Sequence, residues 1–131
     1  MKKRWSSSWV GSKQPRKQRK FRYNAPLHVK QRFVSSPLDK KLRKEYGRRS
    51  VGVRRGDEIV VMRGSFKGKT GKVTSVDLQE SKVYVDNIKR KKVSGQEIEV
   101  AIQPSNIKIV RLNLDDKKRM KTLAKKKEVK K

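Results

Sequence analysis

Short runs of apolar residues in the middle of the chain predict a set of β-strands. The runs lie at residues 59–62, 72–76, 82–86, 97–102 and 107–109. Turn residues separate them, and no interval is long enough for a helical crossover, so the pattern favours a small antiparallel barrel or sandwich over a parallel sheet. The side chains expected in its core are Ile59, Val61, Val73, Val76, Val83, Val85, Ile98, Val100, Ile102 and Ile107.

Helices are predicted on both sides of the strands. Asn24 is placed to cap a helix that begins at residues 25–26, where proline suits the first helical position. A Ser-Pro pair at residues 36–37 repeats this start signal, and Gly47 is the expected stop of that second helix. Two aspartates at residues 115–116 favour a last, lysine-rich helix, because negative charge stabilises a helix N-terminus.

Charge and apolar content divide the chain into three parts. Its 131 residues carry a net charge of +27, and only 32% of them are apolar. Residues 1–50 hold 17 basic and 2 acidic side chains, residues 51–115 hold 13 and 8, and residues 116–131 hold 9 and 2. We therefore predict a basic extension at 1–22 that is disordered without a partner, a short helical segment at 23–50, a β domain at 51–115 and a lysine-rich helix or tail at 116–131.

The composition also excludes several classes of protein. The chain has no cysteine and one histidine, which excludes a disulfide framework, a zinc finger and a thiol nucleophile. No apolar run approaches the roughly 20 residues of a membrane helix. We expect a cytoplasmic protein without cofactor, metal or small-molecule substrate. Its high positive charge predicts a polyanionic partner, and nucleic acid is the abundant polyanion in the cytosol.

A glycine-rich basic loop joins the first two predicted strands. It contains Gly64, Gly68 and a Gly-Lys-Thr sequence similar to the end of a phosphate-binding P-loop. That motif needs four residues between its glycines and a helix after them, whereas here there are three and a strand follows. The favoured interpretation is a tight turn whose cations reach phosphates, and a merely solvated hairpin is the alternative. The cations are Arg63, Lys67, Lys69 and Lys72.

The N-terminal extension mixes cations with aromatic residues. In the segment 13–23, Phe21 and Tyr23 stand among lysines and arginines, a pattern typical of RNA binding, since cations neutralise phosphates and aromatic rings stack on unpaired bases. A nonspecific solubilising or nuclear-import tail is the alternative. Trp5 and Trp9 either stack on RNA, fill a groove or lie in a disordered terminus.

The chain offers no convincing catalytic group. His28 has no evident nucleophile or base beside it and is expected to be a polar contact to RNA or to the core. Asp57 and Glu58 are neighbours on a predicted strand, where successive side chains point to opposite faces. We therefore expect Asp57 to fix the turn before the strand, and we predict that the protein is not an enzyme.

The first two predicted strands and their loop resemble a KOW motif, which is found in ribosomal and transcription-elongation proteins. This motif consists of a strand, a loop of glycines and basic residues, and a second strand. The matching residues are 56–61, 63–64, 67–68 and 71–73. The resemblance implies a mainly β fold, an SH3-like five-stranded barrel. The flanking segments narrow it to the archaeal and eukaryotic branch of one family, the large-subunit ribosomal protein numbered twenty-four in bacteria and twenty-six in eukaryotes. The resemblance extends over residues 12–115 and is carried by the flanking segments 23–28, 35–38, 41–46, 48–50 and 103–106.

The resemblance implies a structural protein that binds the 5′ region of large-subunit rRNA near the peptide exit tunnel, assists early assembly, contacts neighbouring large-subunit proteins and does not form a homo-oligomer. It also implies a projecting hairpin at residues 89–95, for which a solvated turn is the alternative. A KOW-domain transcription-elongation or chromatin factor is the alternative function. The residues predicted to contact RNA are Lys13, Arg16, Lys17, Arg19, Lys20, Arg22, Tyr23, His28, Lys30, Arg32, Lys41, Arg48, Arg49, Arg54, Arg55, Arg63, Gly64, Lys67, Gly68, Lys69 and Lys72.

Overall fold

A computed structural model describes residues 4–128, and the side chains of residues 4–124. The ends of the predicted extension and tail, residues 1–3 and 129–131, lie outside the described residues. The strands are β1 (Ser35–Pro37), β2 (Ser50–Gly52), β3 (Glu58–Val61), β4 (Thr70–Asp77), β5 (Lys82–Val85), β6 (Lys89–Lys91), β7 (Glu97–Glu99) and β8 (Ile107–Arg111). The helices are α1 (Pro15–Asn24), α2 (Leu27–Phe33), α3 (Lys40–Tyr46) and α4 (Lys117–Glu128), and a 3₁₀ turn spans Ser7–Gly11.

Four of the five predicted strands form one antiparallel sheet in the order β5-β4-β3-β8. The fifth, predicted at 97–102, is divided. Its first half is β7, which pairs with β6 in a separate hairpin, and its last residue, Ile102, bridges Val83 through two hydrogen bonds of 2.9 Å. These small antiparallel sheets are compatible with the predicted mainly β class, although the flanking helices are as extensive as the strands, and closure of the strands into a barrel is not shown.

The core lies on one face of this sheet and extends beyond the predicted domain. Most of the predicted core side chains are buried, and Val76 and Val100 pack against them at partial burial. Ile98 was expected inside but is 43% exposed, because the β6–β7 hairpin stands away from the sheet. Val34, which follows α2, Leu38, which follows β1, and Leu123 of α4 complete the core. The flanking segments therefore stabilise the sheet through apolar burial.

The helix boundaries correct two predictions. Asn24 does not cap α2. It is the last residue of α1, and Pro26 precedes α2 instead. The Ser36–Pro37 pair does not begin a helix either: it belongs to β1, where the buried Ser36 Oγ donates a 2.6 Å hydrogen bond to the carbonyl of Pro104. This long-range bond fixes an extended backbone that local sequence does not reveal. α3 therefore begins at Lys40.

The predicted C-terminus of α3 and the predicted start of α4 are confirmed. Gly47 follows α3 in the left-handed conformation, with φ of 62°, and its N–H donates to the carbonyl of Arg43. This is the usual glycine stop. The Asp116 side chain accepts the N–H of Lys118 at 2.7 Å, which satisfies a free donor in the first turn of α4.

Candidate nucleic-acid interface

The glycine-basic loop between β3 and β4 is a tight hairpin connection, as predicted. The Gly68 N–H donates to the carbonyl of Val61 at 2.8 Å, and the Val61 N–H donates to the carbonyl of Lys69 at 2.9 Å. Gly64 and Gly68 adopt φ of 95° and 86°, which disfavours any residue with a Cβ atom. These bonds and angles fix the path of the loop backbone.

Gly71 serves a different purpose from the other two loop glycines. Its φ is not positive, but a Cβ atom added there would lie 2.5 Å from Cγ1 of Val85 and 2.7 Å from Oδ1 of Asp86. Added Cβ atoms at Gly64 and Gly68 would meet nothing within 4 Å. Gly71 therefore permits close approach of β4 and β5, whereas the other two permit the turn itself.

The cations of this loop all face solvent. Arg63, Lys67, Lys69 and Lys72 are exposed, and none of them forms an ion pair within the described part of the chain. The Nζ of Lys69 lies 5.2 Å from the ring centroid of Phe66, which orients one of the charges. The loop thus presents several unneutralised cations on a fixed backbone, a geometry suited to phosphate contact.

The N-terminal extension contains a helix where disorder was predicted. Arg16, Arg19, Lys20 and Tyr23 stand at i, i+3, i+4 and i+7 of α1, so they share one face of the helix. Tyr23 is 82% exposed among these cations. We call this surface the α1 basic face. A ring that points to solvent between cations is an arrangement suited to stacking on an unpaired base.

Residues upstream of α1 hold its opposite side in place. Trp5 stacks on the buried Phe21 with ring centroids 5.5 Å apart, and its Nε1 donates a 3.0 Å hydrogen bond to the carbonyl of Phe21. Phe33 of α2 packs edge-on against Phe21 at 5.9 Å. Gln18 donates to the carbonyls of three residues around the 3₁₀ turn, including Ser12 at 2.8 Å. The α1 basic face is therefore turned outward by packing on the other side.

Four predicted arginines come together in one groove. Between β2, the end of β4 and α4 lies a cavity of about 970 Å³, which we call the arginine groove. Its lining includes Arg32, Arg48, Arg54 and Arg55. Arg54 forms an ion pair with Asp116, and Arg48 donates a hydrogen bond to the carbonyl of Thr122, so two of the four are held by the start and middle of α4.

The other predicted contacts are distributed over the surface. Lys13, His28, Lys41 and Arg49 are exposed, and Lys30 is half-buried with its Nζ donating to the carbonyl of Gln79 at 2.9 Å. None of the 21 predicted RNA-contacting residues is buried. Fourteen of the 21 lie on the α1 basic face, in the arginine groove or at the β3–β4 loop. The other seven are the five residues just named and two further cations of α1, Lys17 and Arg22.

The sequence did not reveal how α4 is attached to the sheet. Arg119 is 5% exposed, and its guanidinium donates to both carboxylate oxygens of Asp57, at 2.6 and 2.7 Å. Asp57 also accepts the N–H groups of Arg54 and Asn113, at 2.9 and 2.8 Å. The predicted turn role of Asp57 is confirmed by the bond to Arg54, but its ionic partner was missed, since nothing in a lysine-rich helix singles out one arginine.

Two shifted pKa values have structural causes. A 2.9 Å hydrogen bond from Nζ of Lys108 lowers the pKa of Asp39, and the positive charge of Lys108 acts in the same direction. Burial raises the pKa of Tyr46, and the adjacent Glu45 adds to the effect. Within the described residues, neither group lies beside a metal-binding cluster, and the cause of each shift is a local contact or burial.

The described residues show no catalytic or metal-binding arrangement. Within residues 4–128, whose side chains are described as far as residue 124, no group of three or more His, Cys, Asp or Glu side chains is placed to hold a metal ion. Glu58 is exposed while Asp57 is buried, as expected for strand neighbours, so the two carboxylates do not face a common substrate. No helix in that same range is long and apolar enough to cross a membrane.

Comparisons with a protein-family model and with a related protein both indicate the same family. The family model that describes the ribosomal proteins called L26 in eukaryotes and L24 in archaea matches residues 12–126. The large ribosomal subunit protein uL24 of Methanosarcina barkeri (strain Fusaro) is 51% identical over 114 residues, which are 87% of this chain and 98% of that protein. The β3–β4 loop, the arginine groove and α1 all lie within the matched range. The chain belongs to this family of eukaryotic and archaeal ribosomal proteins.

Proposed function

We propose that this protein is a non-enzymatic structural component of the large ribosomal subunit that binds rRNA in the cytoplasm. The observation that carries the proposal is the β3–β4 loop, where exposed cations stand on a backbone fixed by positive-φ glycines and hydrogen bonds. In a member of a ribosomal protein family, the polyanion available to such a loop is rRNA. Phosphate contacts of this kind position a protein on RNA without reading its sequence.

The α1 basic face supplies a second contact of a different type. Its cations neutralise phosphates, and the exposed ring of Tyr23 stacks on a base that is free of pairing. Together the two surfaces provide separate contacts for RNA, one on α1 and one at the β3–β4 loop. The β domain acts as the rigid support, and an SH3-like barrel is its proposed architecture.

The finer placement follows from the family resemblance. We propose that the bound RNA is the 5′ region of large-subunit rRNA near the peptide exit tunnel, that binding occurs early in assembly, and that neighbouring large-subunit proteins are the remaining partners of a chain that does not form a homo-oligomer. The transcription-elongation or chromatin function has no observation in its favour, because the family match assigns 12–126 to ribosomal proteins.

Site-specific photocrosslinking in assembled subunits tests the proposal. A benzophenone amino acid replaces Lys67 in the loop or Arg19 on the α1 basic face, and the matched control places it at Arg111, an exposed position outside the predicted contacts. We expect rRNA crosslinks from positions 67 and 19, mapping to the 5′ region, and weaker or no rRNA crosslinks from 111. Crosslinks from 67 and 19 to protein alone, or absence of the protein from washed large subunits, would overturn the proposal.

A further inference from the structure

The arginine groove combines an apolar floor with a basic rim. Val51, Val53, Val76 and Leu78 line it from β2, β4 and the segments that follow them. Val51, Val76 and Leu78 are only partly buried, so apolar surface remains open inside the groove. Contact between exposed apolar surface and water is unfavourable, so a ligand that covers this surface is bound more favourably.

The charge of the rim is not neutralised by the protein itself. Of the two aspartates that line the groove, Asp116 is paired with Arg54 and Asp115 forms no ion pair within the described residues. Arg32, Arg48 and Arg55 likewise form no ion pair there. Three arginines therefore face one carboxylate, and the groove is electrostatically complementary to an anion.

Unpartnered donors concentrate at the same place. The buried side-chain polar atoms that lack a hydrogen-bond partner in the described residues are Nε of Arg48, Oγ1 of Thr74 and Nε of Arg119, and all three residues line the groove. A buried donor without an acceptor is unfavourable. Arg48 and Thr74 are only half-buried, so a change of rotamer can turn either donor toward a ligand that brings acceptors. For Arg48 this exchanges its hydrogen bond to the carbonyl of Thr122 for one to the ligand.

We propose that the arginine groove binds one unstacked nucleotide of single-stranded RNA, with the base on the apolar floor and its flanking phosphates on Arg32, Arg48 and Arg55. The proposal rests on the proposed function, because it assumes that RNA surrounds the protein. It adds a site at which a base, and not the phosphate backbone alone, is bound. The cavity of about 970 Å³ lies within the size range of small-ligand sites.

Other occupants satisfy fewer of these features. A paired RNA helix keeps its bases stacked and presents only edges and backbone, so it leaves the apolar floor uncovered. An acidic peptide matches the rim, but its carboxylates do not cover that floor. A nucleotide supplies both a flat apolar face and oxygen acceptors, and planar guanidinium groups bind phosphate oxygens in a bidentate manner.

The first test compares a base-bearing ligand with a base-free one. Full-length protein with labelled methyl groups is titrated by NMR with hexauridylate and with an abasic hexamer of the same backbone. We expect shifts at the methyl resonances of Val51, Val76 and Leu78 with hexauridylate, and roughly tenfold weaker binding of the abasic hexamer, because it has no base to cover the apolar floor. Equal affinity of the two hexamers, or equal shifts produced by a hexaglutamate peptide, would overturn the proposal.

The second test uses matched charge variants at exposed positions. Arg32→Glu with Arg55→Glu is compared with Arg111→Glu with Lys117→Glu, which changes the net charge equally outside the groove. The groove pair is expected to reduce the slope of log affinity against log salt for hexauridylate by about 1.4, because each phosphate of a single strand contributes about 0.7. Equal reduction by both pairs would show nonspecific attraction and contradict the site.

A parallel measurement separates the two proposals. Wild-type protein and both pairs are also titrated with a transcript of the 5′ region of large-subunit rRNA. If wild-type protein binds the transcript while hexauridylate leaves the groove methyl groups unshifted, the nucleotide site is refuted and the proposed function stands. If wild-type protein binds neither RNA, both proposals are refuted.

Discussion

Arg119 of α4 and Asp57, the residue before β3, form a buried, bidentate ion pair across 62 residues of sequence. The carboxylate accepts four hydrogen bonds, two from the guanidinium and two from backbone N–H groups. Arg119 in turn donates to the carbonyls of Asn113 and Gly52, at 2.8 and 3.1 Å. The pair therefore joins α4, the strand β2 and the turn before β3 at one point, beside the arginine groove.

Removing one partner of this pair should destabilise the protein strongly. Arg119→Met leaves the Asp57 carboxylate buried without its cation, and we expect a loss of about 3–5 kcal/mol in the free energy of unfolding. Arg54→Met is the matched control, because it breaks the exposed pair with Asp116 and should cost at most about 1 kcal/mol. Urea denaturation measures both. Similar losses for the two variants would contradict a special role for the buried pair.

The positive φ of Gly68 gives a second prediction. Gly68→Ala forces a Cβ atom into the left-handed region and should cost about 1–2 kcal/mol of stability. Gly11→Ala is the control, since the backbone there has no positive φ and an added Cβ meets nothing within 4 Å. Thermal unfolding distinguishes them. A Gly68→Ala protein as stable as the control would show that the loop adopts another conformation in solution.

The N-terminal packing predicts graded effects of substitutions at Trp5. Trp5→Phe keeps a ring on Phe21 but removes the Nε1 hydrogen bond, which should cost about 1 kcal/mol of local stability. Trp5→Ala also removes the stacked ring and should cost about 1 kcal/mol more. Amide hydrogen exchange at residues 21–24 reports this local opening. Equal exchange in wild type and Trp5→Ala would mean that α1 does not depend on the extension.

The ion pair of Asp39 and Lys108 predicts a pH dependence of stability. The pKa of Asp39 is lowered in the folded protein relative to its ordinary value of 3.8, so the folded state binds this proton less readily than the unfolded state. The stabilisation is complete above that value and is lost as pH falls below it. We expect Asp39→Asn to lower Tm above about pH 5 and to lose this deficit below about pH 3.

Asp115→Asn is the matched control for this pH experiment. Asp115 is exposed and forms no ion pair within the described residues, so its substitution should leave the pH profile of Tm close to that of the wild type. If the Asp39→Asn deficit persisted unchanged at the acid end, the Lys108 contact would not be the source of the stabilisation.

Features with local causes could be predicted from the sequence, whereas features with distant causes could not. The β3–β4 hairpin, the stop at Gly47 and the start of α4 follow from glycines and aspartates at their own positions. The helix α1 was missed because its apolar face has only Phe21, and its support comes from Trp5, 16 residues away. The prediction that Ile98 is buried was wrong, because the alternation of apolar residues along a strand does not indicate which other strand it pairs with.

The candidate site shows the same division. Every predicted RNA-contacting residue is at the surface or half-buried, which composition and charge alone anticipate. The assembly of Arg32, Arg48, Arg54 and Arg55 in one groove was not predictable, since their common surface is created by the pairing of β1 with β2 and by the docking of α4. No local pattern connects residues brought together by such packing.

The salt dependence of binding tests the central claim most directly, namely that the exposed cations of the β3–β4 loop neutralise rRNA phosphates. The full chain is titrated against a transcript of the 5′ region of large-subunit rRNA at increasing salt. Lys67→Glu with Lys69→Glu should reduce the steep slope of log affinity against log salt by about 1.4–1.8, while Lys117→Glu with Lys121→Glu, an equal charge change on α4, should leave it nearly unchanged. A flat wild-type titration, or equal reductions in the two variants, would contradict the claim.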